Sequence, residues 1–459
     1  MTNPSYSEQL SAWASDLTFD DLPGDVVSDA SLRVLDILGT TLAASSFENS
    51  YSVRDGALRT GAGEEARILG HGNWASTAGA ALANGAMSHA LDFDDTHFGS
   101  VVHISAPTVT TAMTLGEALG ATGKQIITAI VAGAEAGCRI GSVAPKAFHQ
   151  QGFHATAVVG TFGAAVTAAK LLSLDANKTA NALGIAGSQS SGIMQCFNDG
   201  TWTKQLHVGW SAHSAVIAAH LADCGFTGPS EVLEGIQGFY ATHAKPGDQF
   251  PERLTDGLGS RWEYPTTSFK PYPCGHVVHG HLDCISQLYE EGLRAEHVKS
   301  ITCPIAEWMI PVMCEPREVK LRPATDYHAK FSFPFTMAAM LTFGRLSVKA
   351  FSDENINNSG LLALTDKITH VPDPTANDST RFKGWVQVET NDGRKLECII
   401  TDNWGSVYNP MTPNQVRQKF VENAELVLTA NQVDRVVNNV QSLDMITDVT
   451  AIVTDCIAA

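Results

Sequence analysis

Apolar and small residues recur with a helical period through most of the first 265 residues or so. Asp20, Asp21 and Pro23 make a helix start, and Val26 to Ala44 then carries apolar side chains at helical spacing. Thr77–Ala90, Ala106–Ala118, Gly123–Ala136 and Thr156–Leu172 are built mostly of Ala, Gly, Val and Thr. Small side chains let helix axes approach closely, so these segments predict a compact multi-helix core. The pattern then changes. Val298–Pro304 and Lys367–Val371 read as short strands. Trp385–Thr390 and Lys395–Thr401, joined through Asn391-Asp392-Gly393, read as a hairpin, because Asp-Gly suits a tight turn with φ > 0. Asp326–Leu341 and the region of Val348 supply helices between these strands. After Asn409-Pro410-Met411 the helical period returns, with Thr412 as N-cap and Pro413 at the first helical position. No internal repeat or low-complexity tract interrupts the chain. The expected fold is mainly α: a discontinuous all-helical domain, residues 1–267 completed by 405–459, with an inserted α+β domain at 268–404. A cleft between the two is the expected site.

Composition narrows the function classes. The 459 residues include 30 Lys or Arg against 48 Asp or Glu, a formal charge of −18 spread along the chain rather than gathered in a tail. That balance argues against a nucleic-acid or anionic-membrane partner, since both reward basic faces. The opening MTNPSYSEQLSAWASDL has neither a basic n-region nor an apolar h-region. Apolar runs such as Ala155–Ala169 are shorter than the ~20 residues of a membrane span. The nine cysteines are odd in number and never spaced C-x-x-C, which fits reduced thiols. A cytoplasmic enzyme is the expectation.

Histidine carries the chemical signal. Twelve of the sixteen histidines lie between His89 and His281, a stretch of less than half the chain. The densest group is His89-Ala-Leu-Asp92-Phe-Asp94-Asp95-Thr96-His97, followed by His103. Clustered titratable groups of this kind mark candidate sites, the plain alternative being a polar helix end. Asp92 and Thr96 share a face if the segment is helical. His154 opens a small-residue helix, where the N-terminus disfavours its cationic form and suits a neutral proton acceptor. Lys204 and His207 stand between Trp202 and Trp210 in a region nearly free of other basic residues. Lys270-Pro271-Tyr272-Pro273-Cys274-Gly275-His276 leads on to His279 and His281, with two prolines and a glycine fixing the backbone. No G-x-G-x-x-G, P-loop, G-x-S-x-G or H-E-x-x-H motif is present. His89, Asp92, Asp95, His97, His279 and His281 are competent metal ligands, but their spacing matches no familiar metal motif.

Asn84–His97 (NGAMSHALDFDDTH), His103–Pro107 (HISAP), Gly152–Ala165 (GFHATAVVGTFGAA), Leu183–Met194 (LGIAGSQSSGIM), Lys204–Trp210 (KQLHVGW), Lys270–His279 (KPYPCGHVVH) and His328–Phe335 (HAKFSFPF) occur in order. Together they resemble the MmgE/PrpD family of 2-methylcitrate dehydratases, cis-aconitate decarboxylases and iminodisuccinate epimerases. The resemblance implies a helical domain of discontinuous sequence with an inserted α+β lid, a homodimer, and chemistry without metal or organic cofactor. It implies a site built from Asp92, Thr96, His103, His154 and Lys204, with Lys270 and either His276 or His279 from the lid boundary. His279 aligns without a gap and is favoured. Two departures bear on the substrate: relatives usually carry Arg where this chain has His213, and a lid tyrosine of the animal decarboxylases is missing near Val312–Pro316.

These readings converge on a lyase for a small di- or tricarboxylate, with proton transfer at carbon next to a carboxylate. His103 is the expected main proton donor or acceptor, His154 and His279 its partners. Asp92 orients or balances a histidine, Thr96 hydrogen-bonds substrate, and Lys204, Lys270 and His276 bind its carboxylates. Dehydration is the first expectation, decarboxylation or epimerisation the alternatives. A metal-dependent hydrolase and a catalytically silent helical scaffold are the rivals from other classes.

Overall fold

The computed structural model describes residues 4–377 and 381–458. The fold is mainly α, and the chain divides into two compact units. One comprises the chain up to Ala90, Asp94–Thr267 and the chain from Thr412 onward; the other comprises Leu91–Phe93 and Ser268–Met411.

The first unit is helix packed on helix: α1 (Tyr6–Asp16), α2 (Gly24–Ser45), α3 (Glu48–Thr60), α4 (Thr77–His89), α5 (Ser105–Leu119), α6 (Gly123–Val143), α7 (Ala155–Leu171), α8 (Ala176–Gly187), α9 (Thr203–Asp223) and, after the second unit, α10 (Pro413–Ala424). Pro23 stands at the N-cap of α2, and Thr412 caps α10 through Gln415 N–H in a capping box. α4 lies against α9, and α7 against both α6 and α9. The small residues allow this. A Cβ on Gly85 of α4 would stand 2.8 Å from Gly209 Cα of α9, and one on Gly209 2.3 Å from the Leu82 carbonyl oxygen. α10 closes on α2, where a buried Lys419–Asp36 pair at 2.6 Å ties the C-terminal segment into this unit. α6 is the one described helix long and apolar enough to cross a membrane. It runs further than its sequence pattern suggests and is buried beyond its first turn, with a Glu135–Arg139 pair at 2.6 Å inside the fold.

The second unit holds a four-stranded sheet of β1 (Val298–Ile305), β2 (Ile368–Pro372), β3 (Gly384–Thr390) and β4 (Lys395–Ile400) in the order β2-β1-β3-β4. β1 pairs parallel with β2 and antiparallel with β3, with Ile301 opposite both Ile368 and Val388. Val386 and Val388 of β3 face inward, toward the helix His279–Glu290 packed on the sheet. The β3–β4 turn places Gly393 at φ +85°, the conformation that favours glycine there. Asp326–Leu341 resolves into two helices, Asp326–Lys330 and Phe333–Phe343. Ser332 caps the second, and Pro334 in its first turn cannot continue a helix from before it. The Val348 region is a single 3₁₀ turn, Val348–Phe351.

Candidate active site

α4 ends at His89, and the segment after it is not helical. Asp92 takes φ +51°, a left-handed conformation that stops the helix, so Asp92 and Thr96 do not share a helical face. The condition set for the segment, that it be helical, is not met. The reversal sends the carboxylates in different directions. Asp94 returns to the end of α4, its Oδ2 2.7 Å from His89 Nδ1, with both side chains buried. Asp95 turns to α5, accepting a hydrogen bond from Ser105 N–H at 3.2 Å and another from the Ser105 hydroxyl. Burial raises the Asp95 pKa, and Arg33 of α2 opposes this with a guanidinium nitrogen 3.2 Å from Oδ2. His97 then opens a short hairpin closed by its own N–H to the Val102 carbonyl, with Val101 at φ +57°. A β-branched residue there is strained, and such strain is held where the surroundings fix it.

This hairpin delivers His103. Its Nδ1 lies 2.5 Å from the Asp95 carbonyl oxygen, 3.2 Å from Thr96 Oγ1 and 3.9 Å from Asp94 Oδ2. An imidazole nitrogen that close to a carbonyl must carry the proton, so Nδ1–H donates and, in the neutral ring, Nε2 carries the lone pair. Thr156 Oγ1, in the first turn of α7, accepts from His103 N–H at 3.1 Å.

Four histidine rings converge here. His89 lies 5.0 Å from His103 and stacks on His154 at 5.4 Å between centroids, and His103 is 6.3 Å from His154. His154 is the N-cap residue of α7, and its Nδ1 faces His207 Nδ1 of α9 at 3.1 Å. Burial first, then the charge of Lys204 and the neighbouring His89, His207 and His149, holds His154 well below the usual imidazole range. Burial, with His89 and Lys204, lowers His207 to about 4. Burial and Lys204 lower His149 to about 4, and its Nε2 accepts from Ala155 N–H at 3.4 Å. Lys204 itself is buried, its ammonium 5.7 Å from the centre of the Phe197 ring. The group can hold an anion beside neutral imidazoles, with a separate imidazole positioned to give or take a proton.

The remaining sequence candidates belong to the second unit. Lys270 is fully buried and donates to the Asp92 carbonyl at 2.9 Å and to Asp92 Oδ2 at 3.0 Å. The carboxylate bonded to His89 and near His103 is therefore that of Asp94, whereas Asp92 receives Lys270. His276 and His279 are adjacent, 4.5 Å between ring centroids, with Tyr272 edge-on to His279 at 5.1 Å. His281 is structural: Nε2–H donates to the Pro304 carbonyl at 2.9 Å, Phe333 packs on the ring, and burial lowers its pKa to about 4. Among the described residues no three His, Cys, Asp or Glu side chains gather as metal ligands. Sequence reasoning did not single out Asp94, His149 or His207 for the site. Lys204 and His207 are three residues apart, the spacing that puts both on one face of a helix.

The MmgE/PrpD N-terminal domain matches residues 8–251 and the MmgE/PrpD C-terminal domain residues 272–444. The chain belongs to the MmgE/PrpD family. It is 27% identical to a cis-aconitate decarboxylase of Aspergillus terreus over 464 residues, 96% of this chain and 94% of that protein. It is also 27% identical to the human cis-aconitate decarboxylase, over 82% of this chain and 78% of the relative. With the mouse enzyme of the same name it shares 24% identity, over 97% of this chain and 92% of that one.

Proposed function

We propose that this chain is a lyase that works without metal or organic cofactor and removes CO₂ from a small polycarboxylate of the cis-aconitate type. The carrying observation is His103, with Nδ1–H tied to the Asp95 carbonyl at 2.5 Å and Asp94 3.9 Å away, its ring 6.3 Å from that of His154, which the charge of buried Lys204 helps keep neutral. Protonated on both nitrogens, His103 forms an ion pair with Asp94 and presents Nε2–H as an acid. Lys204 meets a substrate carboxylate through a charge-assisted hydrogen bond, the strong kind. Thr96 supports the His103 ring. The bond to the departing carboxyl group breaks, its electron pair passes into the carbon skeleton beside a retained carboxylate, and CO₂ leaves. His103 Nε2–H then protonates that carbon, and water restores the proton. General acid catalysis of this kind contributes about 10²–10⁴-fold.

Dehydration of a 2-methylcitrate-like acid can use the same groups. The relatives matched along almost their whole length are decarboxylases, and that favours carboxyl loss. The same reading takes the working form as a homodimer. In an NMR assay in D₂O, cis-aconitate should yield CO₂ and a product carrying one solvent deuteron on carbon, and His103→Ala should lower the rate at least about a hundredfold. Water loss from 2-methylcitrate or citrate, with cis-aconitate untouched, would replace decarboxylation by dehydration. An unchanged rate in His103→Ala would remove His103 from the acid role.

A further inference from the structure

His207 lies outside the reaction sketched above, yet its Nδ1 meets His154 Nδ1 at 3.1 Å. Two imidazole nitrogens at that distance share one proton: one ring donates and the other accepts. Both rings are buried, and their Nε2 atoms have no hydrogen-bond partner among the described residues. Among the described residues, the charged groups that shift the pair act in one direction. Lys204, on the same helix as His207, repels added protons on both rings; His89 crowds both, and His149 crowds His154. His154 also stands at the N-cap position of α7, a 17-residue helix, without a side-chain capping bond. Helix N-termini favour anions and disfavour cations. The pair is therefore neutral, and its tautomers are locked to one another. If His154 donates through Nδ1, its Nε2 is a bare lone pair that repels a carboxylate. If His207 donates, His154 must carry its proton on Nε2.

We propose that His207 is a positioning residue that fixes His154 as the Nε2–H tautomer, so that His154 binds a substrate carboxylate as a neutral hydrogen-bond donor beside Lys204. This deepens the polycarboxylate reading and rests on it. It gives the two imidazoles opposite duties: His103 moves a proton, and His154 holds one still. The anion then meets a donor at α7 without a second cation next to Lys204.

Two readouts test this in the full-length protein. ¹⁵N-histidine spectra of the ligand-free protein, with His154 assigned through His154→Gln, should show Nε2 protonated and Nδ1 bare at neutral pH. The second readout is binding of tricarballylate, a non-reacting tricarboxylate. His207→Leu should weaken it about tenfold or more, the effect of a lost hydrogen bond to a charged group. It should also raise KM by a similar factor, with a smaller effect on kcat. His207→Asn, whose amide Nδ2–H falls where imidazole Nδ1 was, should restore most of the affinity. A bare Nε2 on His154 in the wild type overturns the proposal and leaves the lyase reading standing. So does tricarballylate affinity equal in wild type and His207→Leu. An Asn variant as weak as the Leu variant, both folded by circular dichroism, also overturns it, because shape alone would then explain the loss. Absence of tricarballylate binding by the wild type overturns the polycarboxylate reading and this one with it.

Discussion

His281 and His154 are both buried imidazoles, and their surroundings separate a packing role from a chemical one. His281 donates to one carbonyl and sits against Phe333, with a pKa lowered to about 4 chiefly by burial. In the unfolded chain the same ring titrates near 6.5. Between pH 4 and 6.5 the unfolded state thus binds more protons at this position, so stability rises with pH there and falls as the pH drops toward 4. His281→Gln keeps a donor for the Pro304 carbonyl and removes the titration. The unfolding free energy of wild type minus that of His281→Gln should fall by up to about 1.4 kcal/mol per pH unit on acidification through this window. Urea titrations at several pH values would show it, and a pH-independent difference would mean that His281 is not neutral in the folded protein. The sequence displayed the crowd of histidines but not which carboxylate each meets. That depends on the reversal at Asp92, which separates Asp94 from Asp95 and pairs Asp92 with Lys270. A left-handed Asp has no periodic signature, so the local pattern left open whether the segment after Ala90 was helical.

At the scale of elements, small residues were the readable signal, because close helix crossings exclude anything larger. α4 and α9 meet at Gly85 and Gly209; α4 carries His89 at its C-terminal end, and α9 carries Lys204 and His207 near its N-terminal end, so the crossing brings the three together. A methyl group on Gly209 would meet the Leu82 carbonyl oxygen at 2.3 Å and force the helices apart. Gly209→Ala should therefore cost about 1–3 kcal/mol, despite the better helix propensity of alanine. Gly24→Ala, in the first turn of α2 with nothing within 4 Å of the added Cβ, is the control and should be neutral or slightly stabilising. Denaturant unfolding of both variants decides the matter. Equal stabilities would mean that the α4–α9 contact is looser than its backbone distances imply. Strands of the second unit were also legible, since β3 alternates buried and exposed positions and Asp-Gly marks its turn. The break at Ser332 was harder to see: Asp326–Phe343 is continuously rich in helix-compatible residues, and only Ser332 and Pro334 interrupt it.

For the molecule as a whole, the outer side of α9 matters most. Trp202, just before it, and Leu206, Trp210 and Leu221 on it are each more than a third exposed, and Ile217 is half-buried. Their spacing of four, four, seven and four residues places them within one arc of the helix, with Lys204 well outside it. His213, where relatives usually carry Arg, stacks on Trp210 at 5.2 Å and bonds the Ala78 carbonyl at 3.0 Å, so this departure falls on the outer arc rather than beside His154. An apolar stripe, crossed by His213, on a chain of charge −18 is costly to leave in water and is neutral enough for two like-charged copies to meet there. A twofold contact would lay the same residues of one copy on those of the other. The homodimer proposed above should therefore form through this stripe. Light scattering should give twice the chain mass for the wild type, and Leu206→Glu with Trp210→Glu should give the single-chain mass with unchanged helicity. A monomeric wild type would remove the dimer. A dimer that survives both glutamates would move its interface elsewhere, because burying two carboxylates per copy without partners opposes any contact made through the stripe.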